Sequence, residues 1–224
     1  MPEEKKVTMM GRRAGELLAG LSDIVDDLWG EVTAAAVPAP KAPAKPQTPA
    51  APRSFPPFEQ LWKVADETVD WTDALAHETP CDGLTAPDEW ALYHRYAARV
   101  LAGDTDAYLA VIAAMQPLDD LTAYAGGFDV AAPSSDELQA VMQALPVYLD
   151  APGAEARRYL AGMAVRMARD LFALLPVTRV RTEVRRGDKA LLTVTFEKAE
   201  MLKVRFAFID PVAFAVSCGG AFAD

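Results

Sequence analysis

Cysteine and histidine are nearly absent from this chain of 224 residues, which holds two of each. Cys81 and Cys218 cannot make a disulfide framework, and they read as free thiols in a reducing compartment. His77, Cys81, His94 and Cys218 together have the donor types of a two-Cys, two-His zinc site, and the first two have ligand-like spacing. Pro80 interrupts that pair and Cys218 is remote in sequence, so the reading is no metal and no cofactor. Long apolar runs are missing as well, since nothing approaches the roughly 20 residues that cross a bilayer. Lys5 and Lys6 mimic a secretory n-region, but Arg12, Arg13 and Glu16 break the stretch that has to follow. The expected location is the cytoplasm.

Catalytic signatures are also lacking. There is no phosphate-cradling glycine loop, dinucleotide fingerprint or nucleophile elbow. His77-Glu78 opens like a zinc-protease helix, yet the position that requires a second histidine holds Cys81. Acid–base catalysis needs carboxylates in unlike environments within a cleft. Asp66, Glu67, Asp70 and Asp73 read instead as the solvated face of one helix, and Asp119-Asp120 as a turn. Asp188 followed by Glu197-Lys198 fails the spacing of a metal-dependent nuclease strand, because adjacent residues point to opposite faces.

What the chain does hold is an ordinary globular balance, with 51% hydrophobic and 24% charged residues. Its net charge of −10 disfavours generic attraction to nucleic acid or to anionic lipid. The charge is unevenly divided. Residues 155–205 carry twelve Lys/Arg against six Asp/Glu, a net of +6, and residues 55–154 carry three against seventeen, a net of −14. The basic stretch includes Arg157, Arg158, Arg166, Arg169, Arg179, Arg181, Arg185 and Arg186. It reads as a module docking on the acidic helices, because a single-strand nucleic-acid binder would add stacking aromatics.

Three zones follow along the chain. Residues 1–36 contain an amphipathic helix in which Met10, Ala14, Leu17, Leu21, Ile24 and Leu28 repeat at 4-3-4-3-4, the a/d seam of about three heptads. Gly11, Gly15 and Gly20 each cost about 1 kcal/mol relative to alanine, so this helix needs a surface to lie against. Its acidic polar face argues against a membrane. Residues 37–57 hold eight prolines and form a spacer that reaches about 65 Å when fully extended. Residues 58–224 read as a globular domain, helical over 58–175 and β-containing over 176–224.

Within that domain Phe58, Leu61, Trp62, Ala65, Val69 and Ala76 mark a first helix. Thr85 with Asp88 caps a second, whose Trp90, Tyr93, Ala97 and Leu101 share a face. Asp104 caps a third, running through Tyr108, Ile112 and Met115. Ser134 with Glu137 has capping-box spacing ahead of Leu138 to Leu145. Leu160, Met163, Met167, Leu171 and Leu174 mark the longest helix. The period then changes to two: Val180, Thr182 and Val184, a Gly187-Asp188 turn, then Leu192, Val194 and Phe196 predict an antiparallel hairpin over 178–197. Residues 198–217 fit strand or helix. The expected fold class is a helix-rich α+β domain, helices packed on a small C-terminal antiparallel sheet of two to four strands, with a separate N-terminal amphipathic helix.

The functional expectation is a non-catalytic interaction or adaptor protein, tethered to a protein partner or to a second copy through the N-terminal helix. The alternatives are an acidic inhibitor or immunity-type binder of a basic partner, and an enzyme of unrecognised type.

Overall fold

The computed structural model describes residues 6–9, 58–80, 85–151 and 153–223, all of which belong to one compact unit. Their centre is one six-stranded mixed sheet with the order β1-β2-β3-β4-β5-β6. The strands are β1 Lys6–Met9, β2 Ala125–Ser134, β3 Glu137–Ala144, β4 Arg179–Arg186, β5 Lys189–Glu197 and β6 Ala221–Phe222. Every neighbouring pair is antiparallel except β3 and β4, which run parallel. Seven helices are described: α1 Trp71–Ala76, α2 Pro87–Leu101, α3 Thr105–Met115, α4 Pro146–Leu149, α5 Gly153–Leu174, α6 Lys198–Met201 and α7 Pro211–Ser217. Among the described residues no helix is long and apolar enough to cross a membrane.

This architecture corrects the expected fold class. The sheet is not a small C-terminal feature: it draws strands from residues 6–9 and from 125–144, inside the stretch read as helical. The hairpin of β4 and β5 is present, with Gly187 at φ +59° in its turn, but it makes up only two of six strands. Ser134 and Glu137 are not a capping box. They pair across the tight turn that joins β2 to β3, and Leu138, Ala140, Met142 and Ala144 alternate inward along a strand. Val7 and Met9 likewise point inward from strand β1; the rest of the predicted N-terminal helix and the spacer 37–57 lie outside the described residues.

Register explains why the sheet forms. Val7, Val130, Ala140, Thr182 and Val194 stand opposite one another in one row across five strands. Met9, Phe128, Met142, Val184 and Leu192 form the next row, and side chains two apart on a strand share a face. These rows meet α3 and α5 in the core. On the opposite face, Thr8, Asp129, Val141, Glu183 and Thr193 are half-buried or exposed, and polar residues dominate.

Helix α5 is the crossover between the parallel strands β3 and β4, which require a long connection. From Tyr159 to Leu174 every residue except Arg169 is buried. A helix apolar nearly all round is one covered on all sides, here by β3, β4 and β5, by α7 and by the 3-10 turn Phe58–Lys63. The expected first helix is instead this short turn, then extended chain, then α1 with Asp70 as its N-cap, accepting from the Thr72 and Asp73 amides at 2.9 and 3.0 Å. Residues 198–217, which fit strand or helix in sequence, form α6, a 3-10 turn at Phe206–Phe208 and α7, and β6 takes the edge beside β5 at Leu192 and Thr193.

Candidate functional site

The segment from Leu61 to Trp71 lies along one face of α5 like a strap, and its anchors recur at helical spacing. At Gly162 there is no side chain because Trp62 takes the space: a Cβ there would sit 2.9 Å from Trp62 Cε3. Arg169 donates to the carbonyls of Trp62 and Val64 at 2.7 and 2.9 Å. Asp170 accepts from the amide of Asp66 at 3.1 Å. The amide of Val69 donates to the carbonyl of Ala173 at 2.9 Å, and the indole N–H of Trp71 to that of Leu174 at 2.7 Å. Backbone donors that a helix over 64–70 would have turned inward are thus satisfied by α5, which is why this stretch is extended.

Midway along the strap lies a buried charge cluster. Arg166 is 3% exposed and Asp170 is fully buried, and they pair at 2.5 Å within one helix turn. Arg166 also reaches Asp120 at 3.0 Å and Asp66 at 3.5 Å. One guanidinium therefore faces three carboxyls. Burial raises Asp170 to about 8, against the lowering pull of Arg166, and the charge of Asp66 adds to the rise. Burial raises Asp66 and Asp120 too, with Arg166 opposing in each case. Burial pulls Arg166 down, and the three carboxylates outweigh it and hold it above its usual value. The cluster ties the strap, the 3-10 turn Asp119–Ala123 and α5 together, and removing one member of such a group leaves uncompensated buried charge.

One turn further on, α5 borders an open apolar groove. Its first depression, about 250 Å³, is walled by Phe172, Ala173, Met201, Leu202, Val204 and Phe206. Arg169, Lys198, Asp66 and Thr68 supply the polar part of that lining. A second depression of about 440 Å³ shares Thr68, Phe172, Ala173 and Lys198 with the first and extends to Leu101. Lys198 thus lies at the junction, donating to the carbonyls of Phe172 and Leu175 at 2.8 and 3.4 Å near the C-terminus of α5. The guanidinium of Arg169 sits 4.2 Å from the centroid of the Phe206 ring. Burial lowers both Lys198 and Arg169, and for Arg169 the charge of Asp170 offsets part of that while Arg166 adds to it. Among the described residues neither Lys198 nor Arg169 forms an ion pair with a carboxylate, and the side chains of both donate to neutral carbonyls.

The residues singled out from sequence fare unevenly. The helix seam Met10, Ala14, Leu17, Leu21, Ile24 and Leu28 lies outside the described residues, as does Cys81. His77 Nδ1 is 2.7 Å from Asp73, and His94 Nδ1 is 2.7 Å from the carbonyl of Ala74, so each ring already has a protein partner. Cys218 caps α7, a separate element. Among the described residues no three side chains converge as metal ligands. Asp66, Asp70 and Asp73 do not share a helix face: Asp66 meets Arg166, Asp70 caps α1 and Asp73 meets His77. The divided charge does meet internally at Arg166 and where Arg179 pairs with Asp136 at 3.1 Å and Glu137 at 3.6 Å.

Asp170 was missed as a site residue. Its signal was a carboxylate four residues after Arg166, with Met163, Met167 and Leu171 around them, since charges within an apolar helix are seldom unpaired. The groove had no sequence signal, because it joins residues more than a hundred positions apart. No protein-family model, functionally characterised protein or solved structure matches the chain.

Proposed function

We propose that this is a non-catalytic interaction or adaptor protein of the cytoplasm. In this reading the N-terminal amphipathic helix joins the globular body to a protein partner, or to a second copy, across the spacer 37–57. The observation that carries it is the three-heptad repeat of Met10, Ala14, Leu17, Leu21, Ile24 and Leu28 between strand β1 and a proline-rich spacer. A seam of that length buries its apolar side chains only against another surface; strand β1 fixes the chain just before Met10 and the spacer leads it back to residue 58, so the segment is tied to the body at both ends. The fold adds support from the other side. The buried charges of the body are engaged with one another at Arg166, and serve to hold the strap to α5.

Leu21→Asp with Ile24→Asp tests the reading. Affinity purification of the tagged full chain from its native host, with light scattering for mass, is the measurement. The double variant is expected to lose the co-purifying partner or the higher mass while keeping the wild-type melting temperature. An unchanged partner set and mass, or a large fall in melting temperature, contradicts the proposal.

A further inference from the structure

The groove beside α5 has a composition that a self-contained surface does not need. Its walls are largely apolar, yet two half-buried cations stand in it whose side-chain hydrogen bonds, among the described residues, go to neutral carbonyls. Removing a cation from water without a counter-ion is unfavourable, and a carboxylate arriving from outside would restore the balance. The carboxyl of Asp66, although it lines the same depression, is directed to Arg166.

The rim indicates the size of the occupant. Leu202 in the groove wall is 78% exposed, and Phe208, on the same 3-10 turn as Phe206, is 85% exposed. A small amphiphile filling the depression of about 250 Å³ meets Leu202 in its wall but leaves Phe208, outside the lining, in water. A helix laid across the groove is long enough to span both depressions, which meet at Lys198. Exposed large apolar side chains beside an apolar groove are the usual mark of such a contact.

We propose that this groove is a docking site for an acidic, apolar helical segment of a partner protein, with leucine-type side chains on Phe172, Met201 and Leu202 and a carboxylate between Arg169 and Lys198.

Fluorescence anisotropy with the full chain tests it, using a labelled amphipathic peptide of leucine and glutamate, its leucine–glutamine counterpart of equal length, and dodecanoate as a small competitor. The glutamate peptide is expected to bind at least about tenfold more tightly than the glutamine peptide. Lys198→Met is expected to remove most of that preference. Leu202→Glu, on an exposed rim position that the fold does not depend on, is expected to weaken binding at least about tenfold. Equal binding of the two peptides, no binding of either, or indifference to Leu202→Glu overturns the proposal. So does binding of dodecanoate alone, which would assign the groove to a small amphiphile.

Discussion

Arg166 and Arg169 stand three residues apart on α5, and their surroundings differ as much as two sites in one protein can. Arg166 is sealed among Asp66, Asp120 and Asp170. Arg169 has two carbonyls and the face of Phe206. The first is over-supplied with negative charge and closed, so it serves the fold. The second is under-supplied and open, so it is available to something else. Residue type is the same in both; what differs is which chain segment lies over each turn of the helix.

The largest effect that separates the two sites is expected from Arg166→Met. It leaves three clustered carboxyls without their cation and is expected to cost about 3–5 kcal/mol in urea unfolding. Arg169→Met removes contacts to neutral groups and is expected to cost clearly less. Equal losses would erase the contrast.

Much of this was legible in the sequence, and the remainder was hidden for physical reasons. The β4–β5 hairpin shows itself through a period of two and a Gly-Asp turn, and α5 through its apolar spacing. Strands β2 and β3 do not. Leu138 to Ala144 is made of Leu, Gln, Ala, Val and Met, mostly good helix formers, and its apolar positions fit either period. Pairing with β2 on one side and β4 on the other decides it, and that is tertiary information. In the same way Phe206 and Phe208 alternate like a strand, but Phe206 turns toward Arg169 and the ring of Phe214, 5.8 Å away. The strap was unreadable because its amides bond to a helix a hundred residues later.

Gly162→Ala puts a methyl group against Trp62 and is expected to cost about 1–3 kcal/mol, read as a fall in melting temperature. A wild-type value would show that the strap yields freely.

The closed site should also report on pH. Asp170 is raised from an ordinary value near 4 to about 8, so its contribution favours the fold fully at acidic pH and is lost as pH rises through 8. Asp66 and Asp120, also raised, act in the same sense. Between pH 5 and 9 the wild type is expected to lose stability relative to Asp170→Asn. A difference that stays constant, or runs the other way, contradicts the assignment.

The smallest effect belongs to the open site. Leu202→Glu and Phe208→Ser change exposed side chains and are expected to shift unfolding free energy by no more than about 0.5 kcal/mol. A larger loss would make those residues part of the core and close the groove to partners.

A recruiting role requires a body that completes its own fold and keeps its N-terminal helix for another chain. Deleting residues 1–57 would blur the test, because Lys6–Met9 is strand β1. An internal deletion of 12–36 keeps β1 and the spacer. Thermal unfolding of that variant beside the full chain is the direct measurement. Coincident melting temperatures, within about 2 °C, are predicted, since a few degrees correspond to roughly 1 kcal/mol in a domain of this size. A drop of ten degrees or more would place the helix in the core and remove the basis for a recruiting role.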